Sequence, residues 1–103
     1  MTWGAPLMHV ISKKPLRDFW SQHPDSEIPL QAWYRVATHA EWGKFADVRE
    51  VYASADQVGK LTVFNIGGNK YRLIAAIHYD RGMVYVRHVL THKDYALEKW
   101  KNE

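Results

Sequence analysis

The chain has 103 residues, a formal charge of +3 and 47% hydrophobic residues, enough for one domain that buries roughly 60–68% of its unfolded surface without covalent staples. It contains no cysteine, which excludes disulfides, thiolate nucleophiles and zinc ribbons. No apolar run approaches the ~20 residues of a membrane span and no basic-then-apolar signal opens the chain, so a soluble cytoplasmic protein is expected, and its pI near 9.2 allows a polyanionic partner without requiring one.

Residues 1–7, MTWGAPL, read as a leader or tail ahead of a single domain over 8–103. Met8-His9-Val10-Ile11 is a short strand suited to pair with later strands. Ser12 is a candidate N-cap for a helix whose Leu16, Phe19 and Trp20 share one face, with Pro15 in its first turn and an end near His23-Pro24. Asp25 or Ser26 caps a second helix, in which Ile28, Leu30, Trp33, Tyr34, Ala37 and Ala40 recur near i, i+3 and i+4 before Gly43 stops it. The stretch 44–59 has weak periodicity, with a short helix at 46–53.

Three runs rich in β-branched and aromatic residues follow, at 60–66, 70–79 and 83–91, separated by Gly67-Gly68 and Arg81-Gly82. They read as a three-stranded antiparallel meander. Thr91 or His92 then opens a last helix through Ala96, Leu97 and Trp100, with Lys99 and Lys101 near its C-terminus, where the dipole favours cations. The class is α+β: an antiparallel meander sheet with a short N-terminal strand, packed on two N-terminal helices, and a short C-terminal helix.

If Gly67-Gly68 and Arg81-Gly82 are two-residue loops, Ile66 faces Asn69 and Asp80 faces Met83, and residues directly opposite share a face. One face then carries Tyr71, Leu73, Ala75 and Ile77 with Val84, Val86, His88 and Leu90, and is the core face. The other carries Arg72, Ile74, Ala76 and His78 beside Tyr85, Arg87, Val89 and Thr91. A slip of one residue would bury Arg72 and Arg87, at several kcal/mol per unpaired ion. Chemistry is therefore expected on the second face, where Arg72 lies opposite Thr91, beside His92, and Arg87 lies opposite Ala76.

The combination VFNIGGNKYRLIAAI, a hairpin, then YVRHVLTHKDY resembles HigB-type toxins of bacterial toxin-antitoxin pairs, within the RelE-like group of small messenger-RNA endoribonucleases. The likeness covers Met8 to Tyr95. Its most specific part is 63–95, with the Phe64-Asn65-Ile66-Gly67-Gly68-Asn69 turn and Thr91-His92-Lys93-x-Tyr95. The resemblance implies a compact domain whose sheet cradles RNA, cleavage of messenger RNA usually at the ribosome, and neutralisation by a cognate HigA-like antitoxin with a helix-turn-helix domain. Operator DNA would be engaged only through the antitoxin complex.

Metal-independent RNA cleavage by 2′-hydroxyl attack needs a base, an acid and cations for the developing charge. Arg72 is the best phosphate ligand, since its planar fork binds two oxygens and stays charged. His92 can act as base or acid near neutrality. Tyr95, within one helical turn of His92, serves catalysis, base stacking or packing. The candidate catalytic set is thus Arg72, His92 and Tyr95, and the candidate RNA-binding set is Lys70, Arg87, Lys93 and His78. His88 reads as a satisfied core histidine. The spacing of His88 and His92 suits a metal only on a helix, and a strand-to-helix boundary intervenes; no metal or cofactor is expected. The competing reading is a noncatalytic RNA-binding or protein-interaction module with the same basic face.

Overall fold

The computed structural model describes residues 8–102, so the expected leader at 1–7 lies outside the described residues. In chain order the elements are β1 (His9–Ile11), α1 (Lys14–Gln22), α2 (Glu27–His39), α3 (Phe45–Val51), β2 (Asp56–Val58), β3 (Leu61–Ile66), β4 (Tyr71–His78), β5 (Met83–Thr91) and α4 (His92–Ala96), with 3₁₀ turns at Pro24–Ser26 and Lys99–Asn102. The strands form one sheet in the order β1-β5-β4-β3-β2. All pairs are antiparallel except β1–β5. The α+β class and the meander are as expected. Strand β2 is an addition: it is a three-residue edge whose Asp56 and Gln57 are exposed, too short and polar to show a period.

Pro15 sits in the first turn of α1, where its missing N–H costs nothing, and Leu16 points into the core. The N-cap is Lys13 rather than Ser12, which takes a left-handed φ of 68° and accepts a hydrogen bond from the Lys14 N–H at 3.3 Å. Helix α2 buries Leu30, Trp33 and Ala37. Ile28, expected in that stripe, is 83% exposed, because two residues from Leu30 is about 200° around a helix of 3.6 residues per turn. The helix ends at His39, before Gly43, where Ala40 turns extended and its carbonyl accepts from the Met8 N–H at 3.1 Å.

Both hairpin loops are longer than expected, since Ile66 pairs with Tyr71 and His78 with Met83. Side chains alternate with period two, so lengthening a loop by an even number keeps each face. A β-bulge in β5 does change the faces: Ile74 pairs with His88 but Ala75 with Val86, leaving Arg87 as the extra residue. Before the bulge, Val86 and Val84 oppose Ala75 and Ile77 on the helical side, as expected. Beyond it, Val89 and Thr91 oppose Leu73 and Tyr71 there, while His88 and Leu90 oppose Ile74 and Arg72 on the second face. The expected faces of His88, Leu90, Val89 and Thr91 are therefore reversed. Tyr85, not Arg87, opposes Ala76, and Leu90, not Thr91, opposes Arg72. The bulge allows β5 to offer Val84, Val86 and Val89 to one core while the charged Arg87 stays exposed.

Two cores result. The larger joins Leu16, Leu30, Trp33, Ala37 and Val48 of the helices to Phe64, Leu73, Ala75 and Val84 of the sheet. The smaller lies on the opposite face, where Trp100 packs on Val63 and Ile74 with Leu61, Leu90 and Tyr95 beside it. The expected single C-terminal helix is broken at Glu98, whose φ is 60°. The break turns Trp100 back so that its Nε1–H donates to the Tyr95 carbonyl at 3.0 Å. Leu73 is 0% exposed at the centre of the larger core. Leu73→Ala should lower stability by about 2–5 kcal/mol through lost transfer and the cavity left behind; an unchanged denaturation midpoint would contradict this packing.

Candidate active site

Two local constraints bring the C-terminal strand-to-helix junction onto the sheet. Thr91, in extended conformation, caps α4 by accepting the Asp94 N–H at 3.1 Å, as a Thr N-cap does. The next N–H, that of His92, donates to the Lys70 carbonyl at 3.0 Å. His92 is thereby placed beside Arg72 on β4, although the cross-strand partner differs by one residue from expectation. Arg72 Nη2 donates to His92 Nδ1 at 3.3 Å, and the Arg72 Cζ lies 5.3 Å from the centre of the Tyr95 ring. The three candidate catalytic residues thus meet at one edge of the second face.

Arg72 is only 8% exposed, yet its partners are neutral. Nη1 donates to the carbonyls of Asn69 and Tyr71, each at 3.1 Å. Among the described residues no carboxylate pairs with it. A guanidinium has five N–H donors, and these contacts leave Nε and one Nη2 hydrogen uncommitted. A buried cation without a counter-ion is costly, and an anion taking the uncommitted N–H groups would relieve that cost. The Arg72 contact also selects a tautomer: Nδ1 of His92 must present a lone pair, so the neutral ring carries its proton on Nε2. The Tyr95 ring is engaged twice, under Arg72 and stacked on Trp100 with centroids 5.2 Å apart and planes 12° from parallel.

Lys70 does not project freely. Its Nζ lies 3.0 Å from Asp25 Oδ2, and the Tyr71 hydroxyl donates to Asp25 Oδ1 at 2.5 Å. Asp25, read from sequence only as a helix cap, therefore ties the turn before α2 to the strand carrying Arg72. The hydrogen bond from Tyr71, then that from Lys70, holds the Asp25 carboxyl below the usual carboxylate range. The same bond, helped by burial, raises the Tyr71 phenol above its usual value. Trp100 was the other residue missed, since its helical spacing concealed the turn at Glu98. Lys93 is exposed on α4, close in sequence to the cluster. His78 and Arg87 are not brought to it: His78 lies six residues along β4, roughly 20 Å away at strand spacing, with its ring against Tyr85 at 5.2 Å. His88 is half-buried on the second face rather than in the main core.

A helix-backed sheet with a basic edge, capped by a short C-terminal helix, is the architecture of a RelE-like toxin domain. The family model described as HigB_toxin, a RelE-like toxic component of a toxin-antitoxin system, matches residues 26–98. Relatives in Escherichia coli, named mRNA interferase toxin HigB, and in Shigella flexneri, named mRNA interferase HigB, are each 32% identical over 91 residues, covering 85% of this chain and 88% of theirs. A further mRNA interferase HigB, from another Escherichia coli strain, is 29% identical over the same span. The chain belongs to the HigB toxin family. Among the described residues, no helix is long and apolar enough to cross a membrane.

The Asp25 network has a pH signature at both extremes. A carboxyl lowered on folding adds stability above its unfolded pKa near 3.9, lost as pH falls through the folded value; a phenol raised on folding adds stability below about 10, lost as pH rises through its folded value. Asp25→Asn should flatten both limbs of a plot of thermal midpoint against pH. An acid limb as steep as the parent's would show that this carboxyl is not coupled to folding.

Proposed function

We propose that the protein is the toxin of a toxin-antitoxin pair and cleaves messenger RNA, with Arg72, His92 and Tyr95 forming the catalytic edge of a single domain. The observation that carries this reading is a buried guanidinium with no carboxylate partner among the described residues, hydrogen-bonded to an imidazole. The names and coverage of the curated relatives support the substrate class.

Cleavage proceeds by attack of the neighbouring 2′-oxygen on phosphorus as the bond to the 5′-oxygen breaks, leaving a 2′,3′-cyclic phosphate and a 5′-hydroxyl. Arg72 turns its free N–H groups to the non-bridging oxygens and stabilises the pentacoordinate phosphate. When Nη2 passes from His92 to the phosphate, the Nδ1 lone pair is released to take the 2′-hydroxyl proton. Substrate binding and base activation are then one rearrangement. Tyr95 holds the guanidinium plane through its ring, and the imidazolium that His92 becomes returns a proton, directly or through water, to the departing 5′-oxygen. Lys70 and Lys93 add positive potential at the edge, and Arg87 and His78 contact RNA farther along. No metal or cofactor enters this route. The setting is the cytoplasm, with messenger RNA presented by the ribosome. A HigA-like helix-turn-helix antitoxin neutralises the toxin and carries the pair to operator DNA.

End-group analysis of RNA from a translating extract should show cyclic phosphate and 5′-hydroxyl termini; bound but intact RNA would favour the noncatalytic module instead. Arg72→Ala should cost about 10²–10³ in rate and His92→Ala about 10²–10⁴, each in a protein shown by its melting curve to be folded. Arg72→Lys, which keeps the charge but not the fork, controls for lost packing and should also be impaired. Tyr95→Phe should change little; a loss as large as that of His92→Ala would move proton transfer to the phenol. Parent-rate cleavage by both His92→Ala and Tyr95→Phe would overturn the assignment.

A further inference from the structure

Arg72 and His92 are both held by carbonyls of residues 70 and 71. The Lys70 carbonyl accepts the His92 N–H at 3.0 Å, and the Tyr71 carbonyl accepts from Arg72 Nη1 at 3.1 Å. The side chains of these same two residues end on one carboxylate, Lys70 Nζ at 3.0 Å from Asp25 Oδ2 and the Tyr71 hydroxyl at 2.5 Å from Asp25 Oδ1. Tyr71 makes the terminal pair of β4 with both of its neighbours, Ile66 and Thr91, so Lys70 lies beyond the end of the ladder. Its own N–H reaches only the Gly67 carbonyl, at 3.4 Å, longer than the usual range of about 2.7–3.2 Å. The ladder therefore leaves the Lys70 carbonyl weakly oriented, and the contacts to Asp25 supply what it lacks.

We propose that Asp25 is a positioning residue for cleavage: acting through the backbone at Lys70 and Tyr71, it holds His92 and Arg72 in place against each other. The inference rests on the nuclease reading above. Both oxygens of Asp25 are taken by Tyr71 and Lys70, and that indirectness has a chemical consequence. A carboxylate set against Arg72 would occupy the N–H groups offered to phosphate and offset their charge. One that acts through carbonyls fixes the geometry and leaves the charge available to the transition state. The tolerance is small. The Arg72 Nη2 to His92 Nδ1 contact, at 3.3 Å, is already toward the long end for a hydrogen bond, and a misplacement of about 1 Å can cost about 10² in rate. The Tyr71 ring is held separately, by an edge contact with Phe19 at 5.2 Å and by His23 at 5.5 Å. Removing its hydroxyl thus cuts the contact to Asp25 and leaves the ring packed.

The test compares the parent with Asp25→Asn and Tyr71→Phe, and with Val48→Ala, which opens a cavity in the larger core and controls for lost stability. RNA-free protein, isotopically labelled at the histidine nitrogens, is observed by NMR at about pH 8, above the usual histidine pKa. The His92 signals are those absent from His92→Ala. In the parent, Nδ1 should show the shift of a bare ring nitrogen and Nε2 that of a protonated one. In Asp25→Asn and Tyr71→Phe the two shifts should move toward each other, as the Arg72 contact loosens and both tautomers become populated; in Val48→Ala they should stay at the parent positions. On one RNA substrate the same two variants should lose about 10- to 100-fold in kcat with KM little changed, the pattern of an interaction that matters in the transition state. Folded Val48→Ala should cleave at the parent rate. Parent-like ring shifts in Tyr71→Phe, or an equal movement in Val48→Ala, would overturn the link. The two possible failures separate: shifts that move as expected in a protein whose parent leaves RNA intact would refute the nuclease and keep the link, whereas a cleaving parent whose Asp25→Asn and Tyr71→Phe variants keep both shifts and kcat would refute the link alone.

Discussion

The structure turns on a guanidinium taken almost out of water with no counter-ion among the described residues. Arg72 is satisfied by two carbonyls, an imidazole and the face of a phenol, contacts that fix its orientation but leave its charge uncompensated. In a protein whose stability is the small difference of large terms, such a group is retained only if the surrounding structure over-determines it. The Asn69 and Tyr71 carbonyls come from the β3–β4 turn and its junction with β4, Tyr95 from α4, and His92 from the junction of β5 with α4. Each of these elements is held by contacts that have nothing to do with the arginine itself.

The C-terminal segment makes that environment. Thr91 stops β5 and starts α4 within one residue, and Glu98 reverses the chain so that Trp100 reaches Val63 and Ile74. Trp100 in turn stacks on Tyr95, which covers Arg72. The second core and the proposed catalytic edge are therefore one packed unit. Stability on this face and reactivity at the edge cannot be varied independently, as is common where a site is preorganised by neighbouring side chains.

On the other side of the sheet the Asp25 bridge performs the matching task. It links the turn before α2 to Lys70 and Tyr71, the residues directly ahead of Arg72. Because Lys70 and Asp25 are both largely exposed, their ion pair is screened and contributes little stability by itself. The buried Tyr71 hydroxyl gives the bridge its geometry. The helical layer is thus tied to the strand that carries Arg72.

Much of this was legible in the chain. Alternation in 60–91 and the glycine turns identified the meander, and an even change in loop length left every β4 residue on its expected face. The sequence also grouped Arg72, His92 and Tyr95, but through a pairing of Arg72 with Thr91 that the bulge transfers to Leu90; the chain turn at the Thr91 cap brings His92 beside Arg72 nonetheless. Other features had no local signature. Ile28 looked like a stripe residue until the stripe's angle was set by Trp33 and Ala37. The bulge left one trace, Val86 and Val89 three residues apart where a regular strand puts core residues two apart. A regular β5 would have kept Arg87 on the second face and turned His88 and Leu90 toward the helices; the bulge gives the helical face Val89 instead, a preference that exists only once the helices have closed over it. The turn at Glu98, the burial of Arg72 beneath Tyr95 and the bridge from Asp25 to Tyr71 likewise join residues whose contacts no period or spacing encodes. Sequence determined which residues could alternate, cap and carry charge; only tertiary packing decided which of those charges would be hidden, because burial is a property of what lies above a side chain.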